Sequence, residues 1–263
     1  MAGLSALRLL TAAFLLAITT AFLRLLYVLP STSRRRRNPR AKSPRTLPSH
    51  MVVVLGSGGH TAEMMSLLRN IDPKRYKHRT YILSSGDSFS SSKAFEIEKR
   101  IQSRYTNSQS QTTLAGQEDQ VTGVWDIKVV PRARKIHQPL YTAPFSSLWC
   151  LIGCCRVLYE TARDSKVSPL KYPDVIVTNG PATAVMVIIA ATVLKYLAIA
   201  PLWKMKTVYV ESWARVKTLS LSGKVLLELG VCDRFVVQWE ALAKVLNGNG
   251  GDKRVDCKGF LVE

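Results

Sequence analysis

A chain of 263 residues can bury a sizeable core, and its length fits one domain plus an anchor, or two smaller domains. Lysine and arginine number 37 against 18 acids, a formal charge of +19 that points to anionic partners. Five cysteines include no CxxC pair with a metal-ligand partner, which excludes a cysteine-rich zinc module and leaves buried thiols.

The first element is apolar. Leu4 to Pro30 carries only Arg8 and Arg24 as charges, and its uninterrupted part, Leu9 to Leu23, covers about 22 Å at the ~1.5 Å helical rise. That falls short of a ~30 Å hydrocarbon core unless both arginines snorkel outward from its ends. Arg34, Arg35, Arg36, Arg37, Arg40, Lys42 and Arg45 follow with no acid among them. A cleaved signal peptide carries its positive charge before the apolar core. Here the cluster comes after, so residues 1–30 read as an uncleaved transmembrane anchor and 31–50 as a basic linker. An acid-free segment rich in Ser, Thr and Arg also suits an organelle transit peptide, which stands as the rival reading. By the positive-inside rule the linker keeps the following domain in the cytosol, with a very short N-terminus across the membrane. From Thr46 onward 28 basic residues face 18 acids, but without basic stripes interleaved with aromatics, so no nucleic acid is expected as partner.

From Met51 to the end, short β-rich runs alternate with longer helical ones. MVVVLG reads as a buried first strand and TAEMMSLLRNI as the helix after it. RTYILSSGD and the amphipathic SSKAFEIEKRIQSRY follow, then a polar stretch without periodicity, Thr106 to Gln120, expected as a surface insertion. WDIKVVPRAR is a third strand, FSSLWCLIGCCRVLYETAR an apolar helix, PDVIVTNGP a fourth strand, and ATAVMVIIAATVLKYLAI a second apolar helix. KTVYVESWAR and DRFVVQWEALAKVL supply two more strands, the last with a short helix behind it. The pattern predicts an α/β domain over 51–263, a Rossmann-like doubly wound parallel sheet. The second apolar helix runs only from Ala182 to Leu194 before Lys195, so burial between layers explains it better than a membrane span.

In such a sheet ligands gather at the carboxyl ends of the strands. Gly56-Ser57-Gly58-Gly59-His60, Ser84-Ser85-Gly86-Asp87, Asn179-Gly180-Pro181 and Glu211-Ser212 all fall there, which argues for a single site. Glycines 56, 58 and 59 allow a tight strand-to-helix turn and a close approach of backbone amides to an anion, with a helix dipole behind them. A Walker loop is excluded because no lysine follows Gly58 or Gly59. A dinucleotide fingerprint is not met either, since Thr61 stands at its third glycine and Ser84-Ser85 precede Asp87 where a carboxylate belongs.

His60 is the histidine set among glycines at a strand-end turn, whereas His50, His78 and His137 fall in basic or loop contexts. Its imidazole can take a proton from an acceptor hydroxyl or, as a cation, bind a diphosphate; a capping or packing role is equally open. Glu63, one turn into the helix, reads as a carboxylate favouring the dipole. Glu211 ends an apolar strand at the binding face, a candidate base or sugar-hydroxyl ligand. No Asp-x-Asp occurs, so no metal site of that kind is expected.

GSGGHTAEM, TNGP and YVESWAR, with the N-terminal anchor and FVVQW near the end, together resemble the membrane-anchoring subunit of the two-subunit UDP-N-acetylglucosamine transferase that makes dolichol-linked chitobiose, an asparagine-linked glycosylation family. The family also resembles the N-terminal half of the bacterial glycosyltransferase that completes the peptidoglycan-precursor disaccharide. The resemblance implies the N-terminal half of a GT-B-type enzyme, inactive alone. A soluble catalytic subunit would hold the UDP-N-acetylglucosamine donor, and no cofactor would be bound by this chain. Gly56, Ser57, Gly58, Gly59 and Thr61 would cradle the diphosphate of a dolichol-linked acceptor, with Asn179, Gly180 and Pro181 as the acceptor-side loop. His60, or failing it Glu211, would deprotonate the acceptor 4-hydroxyl for inverting attack. Membrane lipid would be a partner, the endoplasmic reticulum the location, and the tail VDCKGFLVE, through Val255, Phe260, Leu261 and Val262, the contact for the soluble subunit. Two other readings remain: a recruiter without chemistry, and a membrane-anchored oxidoreductase with a degenerate dinucleotide loop.

Overall fold

The computed structural model describes residues 2–33, 48–107, 122–134, 138–163, 172–248 and 254–262. The run from Arg34 to Arg45, His137 and most of the polar stretch from Thr106 to Gln120 lie outside the described residues. Helix α1 (Ala2–Val28) and the single turn α2 (Pro30–Ser33) precede β1 (His50–Val54), α3 (Gly59–Leu67), β2 (His78–Ser84), α4 (Ser88–Asn107) and β3 (Val124–Val130). Then come α5 (Ala143–Arg163), β4 (Val175–Asn179), α6 (Ala182–Tyr196), β5 (Lys206–Val210), α7 (Leu221–Leu229), β6 (Arg234–Val237), α8 (Glu240–Asn247) and β7 (Asp256–Cys257).

The seven strands form one parallel sheet in the order β3-β2-β1-β4-β5-β6-β7. The winding reverses between β1 and β4, which leaves a crevice at their carboxyl ends. Helices cover both faces, so β1 is buried throughout and reads as an unbroken apolar run instead of an alternating one. Its Val52 and Val54 pack in the cluster built with α5 and α6, while Met51, Val53 and Leu55 pack with α3 and α4. A third cluster joins α6, α7 and α8 to Tyr209, Phe235 and Val237. On the α4 side, the buried Arg79 binds Glu98 through two hydrogen bonds of 2.7 and 2.6 Å, and Tyr81 donates to the same carboxylate at 2.6 Å.

Neither α7 nor β7 follows from periodicity. Gly223 interrupts the helical pattern of α7, and a Cβ at that position would come within 2.1 Å of Glu211 Oε2. His50 and His78, read as lying in basic or loop contexts, open β1 and β2 side by side. Their rings stack at 3.9 Å, and His50 is buried.

Residues 7–28 of α1 are long and apolar enough to cross a membrane, with a mean hydropathy of 2.1. Arg24 does not stand free at the end of that span: its guanidinium donates to the carbonyls of Tyr196 (2.5 Å) and Lys195 (3.5 Å) and lies over the Tyr196 ring. Carbonyls at a helix C-terminus lack intrahelical donors and carry the negative dipole end, so Arg24 ties α1 to α6 by charge as well as by packing. Past α1, the Ser31 amide donates to the carbonyl of Gly230 behind α7 at 3.3 Å.

Candidate active site

The loop after β1 turns on Gly58, whose φ of 62° suits glycine and whose position caps α3. Ser57, Gly58 and Gly59 are exposed at the head of α3. Thr61 is placed differently from these. It is fully buried beneath the loop, where its hydroxyl binds the Gly56 carbonyl and meets Ser90 Oγ at 2.6 Å. Ser90 also donates to Gly56 O and Asp87, so Thr61 shapes the loop from below and presents nothing to the crevice. Asp87, the carboxylate nearest the position a dinucleotide site would use, is thereby occupied in holding Ser90.

His60 sits where the two halves of the sheet part. Its Nδ1 lies 3.0 Å from Asn179 Oδ1 and 3.3 Å from Glu63 Oε2, both acceptors, so in the neutral ring the proton resides on Nδ1 and Nε2 keeps its lone pair. Gly180 follows Asn179 with φ 95°, and a Cβ there would lie 2.8–3.1 Å from His60 Cγ, Cβ and Cδ2. Glycine at this position thus allows both the backbone turn and the seating of the imidazole.

Glu63 organises the group. It is buried, and one oxygen accepts from Asn179 Nδ2 at 2.6 Å and faces His60; the other accepts from Ser212 Oγ at 2.8 Å and the Trp213 amide at 2.9 Å. Burial works to raise its pKa, but the His60, Asn179, Ser212 and Trp213 hydrogen bonds outweigh it and hold the carboxyl below its ordinary value. The same His60–Glu63 hydrogen bond holds the imidazole above its usual 6.5 against the opposing effect of burial. Glu63 is therefore much more than a dipole-favouring residue. Asparagine, carboxylate and imidazole form one connected set, assembled from α3, β4 and the segment after β5.

Glu211 is buried at the end of β5 with both oxygens engaged. Oε1 accepts from the Ser212 amide at 3.1 Å, and Oε2 from the Ser220 amide and hydroxyl at 3.2 and 3.1 Å. Burial raises its pKa. Since Ser220 also caps α7 by accepting from the Gly223 amide, Glu211 fixes the 211–220 loop against that helix.

His60 and Glu211 both line a cleft of about 920 Å³. Its wall includes Gly56, Ser57, Gly180 and Pro181, so the structure brings the β1 and β4 turns into one site. The amino ends of α6 and α7 open onto it at Ala182 and Leu221, and Arg132, Arg134 and Arg215 add three cations. Arg132 is aimed by hydrogen bonds to the Ser85 and Gly86 carbonyls at 2.8 and 3.3 Å. Sequence reasoning singled out none of these arginines; their position just after β3 and β5, at the same sheet end as His60, was the available signal. Positive helix ends and guanidinium groups around one crevice favour a polyanionic ligand.

The C-terminal tail returns to this region from the far side. Val255 is buried in the core beside α8, so of the four tail residues named above it offers no outward surface. Phe260 is half exposed and packs on Trp213 and Trp239 at 6.4 and 6.0 Å. The Leu261 amide donates to Gln238 Oε1 at 3.1 Å, and Gln238 Nε2 donates to the Glu211 carbonyl at 3.1 Å. Leu261 and Val262 are partly exposed.

Residues 51–250 match the family model described as "Oligosaccharide biosynthesis protein Alg14 like". The UDP-N-acetylglucosamine transferase subunit alg14 of Aspergillus fumigatus is 40% identical over 216 residues, covering 68% of this chain and 92% of that one. The subunit of the same name from Schizosaccharomyces pombe is 38% identical over 204 residues, 77% and 82% of the two chains. The ALG14 subunit of Rattus norvegicus is 31% identical over 192 residues, 73% and 76%. Among solved structures, Arabidopsis thaliana UGT89C1 complexed with UDP matches distantly, with a TM-score of 0.39 and 11% identity over 82% of this chain and 53% of that one. By the match over 51–250 and these relatives, the chain belongs to the Alg14 family.

Proposed function

We propose that this chain is the membrane-anchored, acceptor-binding subunit of a UDP-N-acetylglucosamine transferase. It would add the second N-acetylglucosamine to N-acetylglucosaminyl-diphospho-dolichol on the cytosolic face of the endoplasmic reticulum. The relatives named as transferase subunits support the reaction class. The observation that carries the role of this chain is the His60–Glu63–Asn179 set beside a cation-lined cleft.

In this reading α1 spans the membrane and holds the domain at its surface. The acceptor diphosphate lies against the Gly56–Gly59 turn and the amino ends of α6 and α7, neutralised by Arg132, Arg134 and Arg215. The acceptor 4-hydroxyl gives its proton to His60 Nε2 as its oxygen bonds to the donor anomeric carbon, and the bond from that carbon to UDP breaks with inversion. Glu63 stabilises the imidazolium that forms, and Asn179 keeps the ring's orientation. Glu211 keeps the 211–220 loop and the head of α7 in place. A soluble partner subunit binds UDP-N-acetylglucosamine and meets the Phe260–Val262 tail, so neither chain transfers sugar alone.

A recruiter without chemistry would have no need of a buried carboxylate oriented on an imidazole. The test is sugar transfer to a dolichyl- or phytanyl-diphosphate N-acetylglucosamine acceptor by membranes carrying this chain with and without its partner, wild type and His60→Ala. Activity needing both chains and lost with His60, while the complex still forms, is expected. Undiminished transfer by His60→Ala would return the recruiter reading, and transfer by the purified chain alone would end the half-enzyme reading.

A further inference from the structure

An amphipathic helix on the outside of an α/β domain shows apolar residues to the sheet and polar ones to water. Helix α5 departs from this. Its inner face is satisfied by Cys150, Cys154, Val157, Leu158 and Ala162, all buried. Its outer face nevertheless carries Phe145, Leu148, Trp149 and Ile152, at i, i+3, i+4 and i+7, with 77, 57, 65 and 53% of their surface exposed. Four large side chains in one stripe make a patch of roughly a few hundred Å², the size that marks a contact site on soluble domains.

We propose that this face of α5 is a second membrane-contact surface, seated in the headgroup–acyl boundary of an anionic leaflet beside the anchor helix. Three observations select lipid as the occupant. The first is position: α5 and α6 share a core cluster on one side of the sheet, and α6 is the helix whose terminal carbonyls Arg24 of α1 binds. Leu197 and Trp203, exposed just past those carbonyls, add apolar surface next to the anchor. The second is chemistry. Exposed Tyr141 and Tyr159 extend the stripe at either end, and Arg134, Arg156 and Arg163 lie along the same segment with Glu160 as the acid paired to Arg156. Aromatic rings with cations around an apolar stripe are suited to the water–hydrocarbon interface and to anionic headgroups. The third is coupling to the cleft. Ser146, in the first turn of α5, donates to the Ala133 carbonyl at 2.8 Å, between the cleft residues Arg132 and Arg134. Gln138, which receives Arg134, donates to Ser146 in turn. The apolar stripe therefore begins at the cleft rim, and lipid contact there presents the cleft to the headgroup layer.

The inference rests on the reading of α1 as a membrane span, and the test separates the two. A photoreactive benzoylphenylalanine is placed in the full chain at Leu15, Leu148, Ile152 or, on the opposite side of the sheet, Phe95. Each version is reconstituted in vesicles of phosphatidylcholine and radiolabelled phosphatidylserine and irradiated. Lipid labelling at Leu148 and Ile152 several-fold above that at Phe95, with strong labelling at Leu15, is the expected result. Labelling at Leu15 alone overturns the α5 surface while leaving the anchor intact; absence of labelling at Leu15 removes the anchor on which the inference stands. Crosslinks from Leu148 and Ile152 to protein in place of lipid, when partner subunits are present, would assign the face to a protein and overturn the proposal as well.

Discussion

At the carboxyl ends of β1 and β4, His60 gives its Nδ1 proton to Asn179 and Glu63, and its pKa is held above 6.5 chiefly by the Glu63 hydrogen bond. At the amino ends of β1 and β2, His50 lies flat against His78 with Nε2 on Thr80 Oγ1 at 2.9 Å, and burial drives its pKa down to about 3. Thr80 donates its own proton to Asp126, so Nε2 of His50 must be the donor, and the buried Nδ1 has no hydrogen-bond partner among the described residues. One sheet thus keeps one imidazole ready to accept a proton and another unable to. The difference comes from what the neighbours offer: an anionic oxygen aimed at the ring in the first case, a second ring and a hydroxyl in the second. A parallel sheet can separate reactivity from structural packing by end, and the tests below bear on that separation in order of falling effect.

Removing the imidazole proposed to accept the proton should cost most. His60→Ala is expected to lower kcat by about 10³-fold, the middle of the range for loss of a general base, with partner binding unchanged. Glu63→Gln should follow at roughly 10²-fold, the loss of an orienting, charge-stabilising carboxylate being smaller than the loss of the base itself. Its signature lies in pH. A general base works when neutral, so the acid limb of kcat/KM in the wild type should lie above 6.5, where Glu63 holds the His60 pKa. In Glu63→Gln the limb should move to lower pH; a limb that stays in place would mean that another group titrates there. Glu211→Gln should move the limb down by less than Glu63→Gln, because its oxygens serve Ser220 and Ser212 and its charge is the smallest of the contributions that raise the His60 pKa.

The other end of the sheet sets acid stability. His50 is neutral when folded and takes up a proton near 6.5 when unfolded, so the unfolded state binds more protons between pH 6.5 and about 3 and stability falls as pH falls through that window. At about 1.4 kcal/mol per unit, acidification from 6.5 to 5 removes roughly 2 kcal/mol. His60 acts in the opposite sense: its raised pKa contributes stability below 6.5 that is lost as pH rises through the folded value. Asp126, held down despite its burial by His78 and Thr80, loses its contribution only below its ordinary 3.8, beneath the range from 6.5 to 5. Melting temperature followed against pH should therefore drop toward pH 5 in the wild type and flatten in His50→Gln. An equal slope in both would assign the acid sensitivity elsewhere.

What the sequence made legible tracks how local each interaction is. Strand, glycine turn and helix at Met51–Leu68 are written in consecutive residues, and so were the strand ends that share the cleft. Glu63 was not legible as the centre of the site because its partners, Asn179, Ser212 and Trp213, lie 116, 149 and 150 positions away. Position alone marks it as an ordinary early-helix carboxylate. Helix α7 stayed hidden because the glycine that weakens its pattern is there to make room for Glu211, a contact that exists only after folding. The stacked pair of His50 and His78 needed strand register, and the arginines of the cleft needed the knowledge that β3 and β5 end on the same side as β1.

The smallest effect tests how far the reactive end extends. Phe260 of the tail packs on Trp213 and Trp239, and Trp239 Nε1 donates to the Trp213 carbonyl at 2.6 Å. The amide of the same Trp213 holds Glu63, which holds His60. Aromatic pairs of this kind are worth about 1 kcal/mol, so Phe260→Ala can loosen Trp213 by no more than that and should lower kcat by roughly five-fold at most. Because the tail is also the proposed contact for the soluble subunit, the rate has to be read at saturating partner, where weakened binding no longer counts. A residual drop in kcat that Phe260→Tyr restores would place the tail in the same unit as the imidazole. An unchanged kcat at saturation would end the reactive region at Trp213 and leave Phe260 to binding alone.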